Sequence, residues 1–217
     1  MSVNKTVVIG TVLVGLSFSL QAASISNGNF DADTIGNFTF TAGQDWVLNN
    51  ASNSGGLLNI DIDTDAITSG HSSPNVAWTT TGATYHSQTI GETVADNLQL
   101  ELSFDVAPRA DTAPATDFVG GLFTTGGTAL ATATAANVGG GLTAGTMKTV
   151  TVSFDAGVGH GQLGNAIEVR LGTATGGQIT FDNVSVSVVP EPTTYALISG
   201  LGLVGLAAYR RTRARKA

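Results

Sequence analysis

Residues 98–106 alternate without a break: Leu98, Leu100, Leu102, Phe104 and Val106 are apolar, and Gln99, Glu101, Ser103 and Asp105 between them are polar. Successive side chains of a strand point to opposite faces, so the pattern predicts a strand with one face buried and one wet. Val150, Val152, Phe154 and then Ile167, Val169, Leu171 repeat it. Shorter candidates lie at Phe38–Phe40, Trp46–Leu48, Leu57–Ile62, Val76–Thr80, Tyr85–Ile90 and Phe118–Phe123, divided by Gly-, Asn-, Ser- and Thr-rich stretches such as 49–56 and 138–145 that read as turns and loops. No stretch holds a helical period for three turns. Further on, the pattern changes parity: Ile179 and Phe181 are odd positions, and Val184, Val186 and Val188 are even. A β-bulge across Asp182–Asn183 reconciles both runs with one core and aims the Asp182 carboxylate out of the ladder. Nine or ten antiparallel strands in the 166 positions of 24–189, with no repeat of fixed period, predict an all-β fold: a single β-sandwich of jelly-roll type.

Both ends of the chain depart from this pattern. In 1–23, Lys5 precedes an apolar run from Val7 to Leu20 and a Gln21-Ala22-Ala23 cleavage site, which reads as a signal peptide routed through the Sec translocon and signal peptidase. In 190–217, the triplet Pro190-Glu191-Pro192 is followed by an uncharged run at 195–209 and then by Arg210, Arg211, Arg213, Arg215 and Lys216. Two prolines fix φ and withhold backbone donors, which keeps the triplet extended. The run reads as a short transmembrane helix of about 23 Å against a ~30 Å hydrocarbon core. Tyr195 and Tyr209 stand at its two interfaces, and the basic cluster holds the C-terminus in the cytoplasm.

Charge separates the regions further. Residues 24–189 carry 15 Asp and Glu against Arg109, Lys148 and Arg170 alone, a balance of −12. Such a surface excludes nucleic acid and suits divalent cations or neutral ligands. The chain has no cysteine, so packing alone must hold the core in an oxidising compartment.

The triplet, helix and basic cluster together resemble the PEP-CTERM sorting signal read by exosortases. The resemblance implies export, recognition at Pro190, Glu191 and Pro192, loss of the helix, and delivery to the cell surface, outer envelope or extracellular polysaccharide of a Gram-negative bacterium.

Several candidate chemistries fail on their own terms. Asp61-Ile62-Asp63-Thr64-Asp65 opens like an EF-hand loop, but Ala66 replaces the glycine of the sixth position and Ser72 the glutamate of the twelfth. Alternation of Ile60 and Ile62 with these aspartates reads instead as a strand with a solvated acidic face. Gly159, Gly161 and Gly164 spell G-x-G-x-x-G, but strand-like 167–171 follows where a dinucleotide site needs a helix; a hairpin loop is the better reading. His71, His86 and His160 lack H-x-x-x-H or H-E-x-x-H partners and sit in polar surroundings, which predicts loop or surface histidines and no enzyme. A pair of carboxylates suited to glycoside chemistry is the remaining enzymatic alternative. Trp46 reads as core. Trp78 and Tyr85 flank 79–84 and form a candidate two-ring platform for a sugar.

The opening Asn27-Gly28-Asn29-Phe30-Asp31, the strand end Phe104-Asp105-Val106 and the closing Ile179-Thr180-Phe181-Asp182-Asn183-Val184-Ser185-Val186 resemble galactose-binding-like and carbohydrate-binding-module jelly rolls. That resemblance implies a structural calcium, with Asp31 and Asp182 as its candidate ligands. The expectation is a non-catalytic surface or matrix protein associated with exopolysaccharide, the alternative being a carbohydrate-binding module with a defined glycan site.

Overall fold

The computed structural model describes residues 23–49, 54–71, 73–80, 84–174, 176–189, 200–207 and 210–211. Residues 1–22 of the predicted signal peptide, the Pro190–Pro192 triplet, and Arg213, Arg215 and Lys216 lie outside these residues. Residues 200–207 are helical, and Leu201, Leu203, Val204 and Leu206 on them are exposed. No described helix is long and apolar enough to cross a membrane.

The domain is an antiparallel sandwich of two sheets. Its strands are β1 (Phe38–Thr39), β2 (Val47–Asn49), β3 (Gly55–Asn59), β4 (Asn75–Thr79), β5 (Tyr85–Thr93), β6 (Gln99–Pro108), β7 (Phe118–Thr124), β8 (Ala129–Ala133), β9 (Lys148–Asp155), β10 (Ala166–Thr173) and β11 (Ile179–Val188). One sheet has the order β1-β3-β4-β11-β6-β9 and the other β2-β5-β10-β7-β8. The predicted parity sets the inner faces. Leu100, Leu102, Phe104 and Val106 of β6, Val150, Val152 and Phe154 of β9, and Ile167, Val169 and Leu171 of β10 all join one buried cluster. At its centre Phe104, Phe118 and Phe181 meet edge to face, with ring centroids 5.9–6.2 Å apart. Gly120 makes room for them, since a Cβ there would lie 2.4 Å from Phe104 Cζ.

The parity switch in β11 is a register irregularity between Asp182 and Ser185 against β6, with Asn183 at φ 50°. Ile179, Phe181 and Val184 enter the core, whereas Asp182 leaves it.

Other expectations need correction. Residues 60–66 form turns rather than the end of a strand: β3 stops at Asn59, and the Asp63 N–H donates to Asn59 O. The glycine-rich 156–165 segment joins β9 of one sheet to β10 of the other, so it crosses the sandwich and closes no hairpin. His86 is fully buried on β5, where its Nε2 lies 3.2 Å from Trp78 O and links the two sheets. Strand β8, with the sequence ALATA, has Leu130 as its only large side chain and escapes a pattern search.

A second, smaller cluster lies on the outer face of the six-stranded sheet. Leu58, Val76, Trp78 and Ala107 face outward from their strands and are covered by Ile60, Ala66, Ile67 and Met147 from the 60–70 and 143–147 segments. A cleft lies beside this cover, with Trp78 of the cluster and Asp63 of the 60–70 segment in its lining.

Candidate functional site

The cleft opens at the rim of that cover. Phe38 opens the short edge strand β1 and Phe40 follows it, Trp78 comes from β4, and Asn37, Asp63, Thr80, Arg109 and Gln178 complete a space of about 370 Å³. The rings form a chain: Phe38 and Phe40 centroids are 5.3 Å apart, and Phe40 and Trp78 centroids 5.8 Å, both edge to face. Phe38 and Phe40 remain 53% and 43% exposed, so their faces are available, whereas Trp78 is 5% exposed and its indole N–H donates to Leu57 O at 3.2 Å. Arg109 supplies the charge. Its Nη2 donates to Asp63 Oδ2 at 2.9 Å and its Nε to Asp111 Oδ1 at 2.9 Å, with a second contact from Nη2 to Asp111. Those hydrogen bonds hold the Asp111 carboxyl below its ordinary range. The Gln178 Oε1 is buried with no partner among the described residues. Apolar walls with a few convergent polar groups are what an organic ring ligand requires.

A second site lies where the N-terminal turn meets the bulge. Gly28 O accepts from Val184 N–H at 2.9 Å, and a Cβ on Gly28 would fall 2.0 Å from Val184 O. Only glycine allows this approach, which is the local reason for the Asn-Gly opening. The contact brings Asp31 and Asp182 to one corner, although 151 positions separate them. Asp182 is fully buried. Both of its oxygens lie 3.0 Å from Ser73 Oγ, which also lies 3.1 Å from Asn29 O and 3.0 Å from Asn75 O. One hydroxyl proton serves one of these four acceptors, so the corner holds more lone pairs than protons. Burial, reinforced by the charges of Asp105 and Asp31, raises the Asp182 carboxyl to about 7 against the lowering pull of the Asn183 N–H and Ser73. Burial also raises Asp31, whose Oδ1 accepts from Asn75 N–H at 3.3 Å. The Asn75 Oδ1 has no partner among the described residues. The carboxylates, main-chain carbonyls and amide oxygen of this corner are the all-oxygen chemistry on which a calcium would draw. No group of three or more His, Asp or Glu side chains among the described residues encloses a metal position, so a calcium here would rely on the carbonyls and on water.

A third feature lies on the outer face of the five-stranded sheet. The Arg170 guanidinium stands 4.7 Å from the Tyr85 ring centroid and 5.1 Å from that of Phe123, and it pairs with Glu168. A space of about 190 Å³ adjoins it, lined by Thr84, Tyr85, Val119, Phe123, Gly172 and Thr173.

Trp78 and Tyr85 therefore do not share a platform: they belong to β4 and β5, in different sheets, and line separate spaces. Trp46 is core, its ring tilted 40° against Phe30 with centroids 5.1 Å apart. Ser73, Asn75, Arg109 and Gln178 escaped the sequence reading. Arg109 alone had a signal, as one of three cations in an acidic domain.

Comparison with known proteins adds to this geometry. Residues 188–211 match the PEP-CTERM protein-sorting motif, and the chain carries the address of an exported, envelope-associated protein. No curated protein matches the chain. A crystal structure of a Stig cyclase, Fisc, from Fischerella sp. TAU in complex with (3Z)-3-(1-methyl-2-pyrrolidinylidene)-3H-indole aligns at TM-score 0.65 and 20% identity, over 78% of this chain and 98% of that one. Another cyclase from Fischerella sp. TAU, in complex with 4-(1H-indol-3-yl)butan-2-one, aligns at TM-score 0.66 and 19% identity over the same shares. A CBM4 structure aligns at TM-score 0.44 and 14% identity, over 76% of this chain and all of that one, too loosely to support an argument. The family model described as HpiC1 cyclase matches residues 21–187, nearly the whole sandwich; the expectation of a non-enzyme is overturned, and the chain belongs to the HpiC1-like cyclase family.

Proposed function

We propose that this protein is an exported, surface-sorted cyclase whose working site is the cleft of the six-stranded sheet. It holds a flat, ring-bearing small molecule against Phe38, Phe40 and Trp78. The observation that carries this reading is the meeting of three rings, a fixed guanidinium and an unpartnered amide oxygen in one open cleft. Ring closure within one molecule is accelerated chiefly by holding its two ends in reacting geometry away from water. Aromatic walls fold a flexible substrate, and Arg109 and Gln178 orient its polar end. The ligands named for the two Fischerella structures both contain an indole-type ring, a chemical class these walls suit. Asp182, despite its raised pKa, is sealed beneath Ser73 and acts in the oxygen-rich corner, where with Asp31, Asn29, Asn75 and water it holds a structural calcium.

The test is titration of the protein with 4-(1H-indol-3-yl)butan-2-one, followed by isothermal titration calorimetry. Saturable binding that weakens in Phe40→Ala and survives in Tyr85→Ala supports the reading; binding unaffected by Phe40→Ala defeats it. The Tyr85–Arg170–Phe123 group favours one further reading, a neutral saccharide of the secreted matrix held on the five-stranded sheet, because stacked rings beside fixed donors suit a pyranose. Binding of exopolysaccharide lost in Tyr85→Ala identifies that case. The sorting sequence we infer is Sec export, signal peptidase cleavage, exosortase processing near Pro190–Pro192, and delivery to the surface of a Gram-negative cell. Mature protein still carrying residues 200–217 by mass spectrometry would refute it.

A further inference from the structure

We infer that, until its tail is removed, the sandwich rests on the bilayer through the glycine-rich 156–165 segment and Val189, with its aromatic cleft turned away from the membrane. The argument begins with where the chain leaves the domain. Val189 is still held to the sheet, its N–H donating to Gln99 O at 2.9 Å. Five residues, 190–194, separate it from the uncharged run that starts at Tyr195, and fully extended they reach at most about 20 Å. The end of the sandwich that carries Val189 is thereby kept beside the bilayer.

That end presents apolar side chains. Val158 is 80% exposed, Leu163 44% and Val189 39%. All three belong to segments tied to one turn, 94–99. Asn97 N–H donates to Gly157 O at 2.7 Å and Gly164 N–H to Val94 O at 2.8 Å, and Gly159 N–H donates to Asp96 Oδ1 at 2.8 Å. Gly157, Gly159 and Gly164 have φ of 59°, 73° and 80°, so the segment keeps a turn path that residues with a Cβ adopt only under strain. The glycine motif that failed as a dinucleotide site thus has a use: it supports an exposed apolar tip at the end of the domain nearest the membrane.

The rest of that end defines the kind of lipid. Residues 94–99, 155–165 and 188–189 contain no Lys or Arg. Their two aspartates are engaged, Asp96 with Gly159 N–H and Asp155 with Gly157 N–H. Attraction to anionic headgroups is therefore absent, and the contact is apolar insertion into a zwitterionic interface. Three aliphatic side chains bind a membrane weakly when the domain is free, but tethering at an effective concentration in the millimolar range makes weak contact sufficient. Removal of the tail abolishes the tether and with it the contact. At the other end, Gln178 immediately precedes β11, and ten strand residues at about 3.3 Å each set the cleft roughly 30 Å from Val189.

The inference rests on insertion of the 195–209 run, and one experiment separates the two. The chain has no native cysteine, so Val158→Cys, Leu163→Cys, Ile62→Cys and Leu203→Cys each give a single attachment point for an environment-sensitive fluorophore. Each full-length variant is reconstituted in phosphatidylcholine–phosphatidylethanolamine vesicles with a quencher-bearing lipid. At 203 the label reports lipid if the run is inserted; an aqueous signal there defeats the sorting reading itself. With 203 in lipid, blue-shifted and quenched emission at 158 and 163, unchanged by high salt, together with aqueous emission at 62, supports docking. Aqueous emission at both 158 and 163 overturns it, as does quenching at 62 equal to theirs. Release to aqueous emission at 158 after proteolytic removal of the tail is the expected final state, and retention of the lipid signal also overturns the proposal.

Discussion

The two sheets share one core, yet their outer faces have had different fates. On the six-stranded sheet, Leu58, Val76, Trp78 and Ala107 are roofed by Ile60, Ala66, Ile67 and Met147, and the N-terminal turn closes over Asp182. Among the described residues, Arg170 of the five-stranded sheet lies between Tyr85 and Phe123 with Glu168 for its ion partner, and no second buried cluster forms there. A roof over a sheet face brings together residues far apart in sequence and excludes water from them. An open face leaves its side chains to their strand neighbours. The cleft and the oxygen-rich corner both arise under the roof.

Trp78→Ala tests this contrast most severely. It empties a buried indole site in the outer cluster, and buried Trp truncations cost about 3–5 kcal/mol. At about 2–4 °C per kcal/mol for a domain of this size, the melting temperature falls by roughly 10 °C or more. Tyr85→Ala, on the open face, should lower it by only a few degrees. Equal losses in thermal unfolding would mean that the outer cluster contributes no more than the open face.

The second test concerns charge under the roof. The Asp182 carboxyl, raised to about 7 in the folded protein from an ordinary 3.8, binds its proton more tightly folded than unfolded. Its contribution is therefore present below about pH 4 and is lost as pH rises toward 7. His86 has the reverse sense: burial lowers it to about 4 from 6.5, so its contribution is full above pH 6.5 and is lost as pH falls toward 4. In chelator the two slopes oppose each other, and stability changes little between pH 4 and 6.5. On the proposed reading, calcium bound at the corner would replace the proton on Asp182, remove that slope and leave the one from His86. The stabilisation by calcium should thus amount to a few kcal/mol at pH 8 and much less at pH 5. Asp182→Asn should abolish the calcium effect at both. A calcium shift in melting temperature of the same size at pH 5 and pH 8 would disprove the linkage.

The same contrast decides what the sequence could reveal. Alternation locates any strand with one apolar face, so the inner cluster and the Asp182–Ser185 irregularity were legible from residues 98–106 and 179–188. Roofing leaves no periodic trace. Asp61–Asp65 reads as a polar strand face because alternation cannot see that β3 ends at Asn59 and that Asp63 turns toward Arg109. Ser73 reaches Asp182 across 109 positions, and nothing local to either residue encodes the meeting. His86 sits among Tyr85, Ser87 and Gln88, polar neighbours that imitate a surface strand, yet Ser87 and Gln88 are buried with it. The Asn-Gly opening and the Phe-Asp-Asn close were informative because Gly28 and Val184 touch, and a contact that needs a missing Cβ does mark the sequence.

Phe40→Ala probes the rim of the roof. Phe40 is 43% exposed, so little buried volume is lost and stability should change by about 1 kcal/mol or less. Affinity for an indole-ring ligand should still fall about tenfold, because one edge-to-face ring contact is worth roughly 0.5–1.5 kcal/mol beyond its area. Titration calorimetry beside thermal unfolding separates the two effects.

The smallest expected effect belongs to Arg170→Lys on the open face. Lysine keeps the charge beside Glu168 but loses the planar group that lies against both rings. Partly buried cation–π and ion-pair contacts of this kind contribute about 0.5–1 kcal/mol each, so unfolding should shift by a few degrees at most, and affinity in the distant cleft should not change. A loss of ligand affinity in Arg170→Lys comparable to that of Phe40→Ala would mean that the sheets communicate through the core. Thr79 and Thr173, whose hydroxyls meet at 2.6 Å between the sheets, would then be the first place to look, because they join the strand of Trp78 to the strand of Arg170.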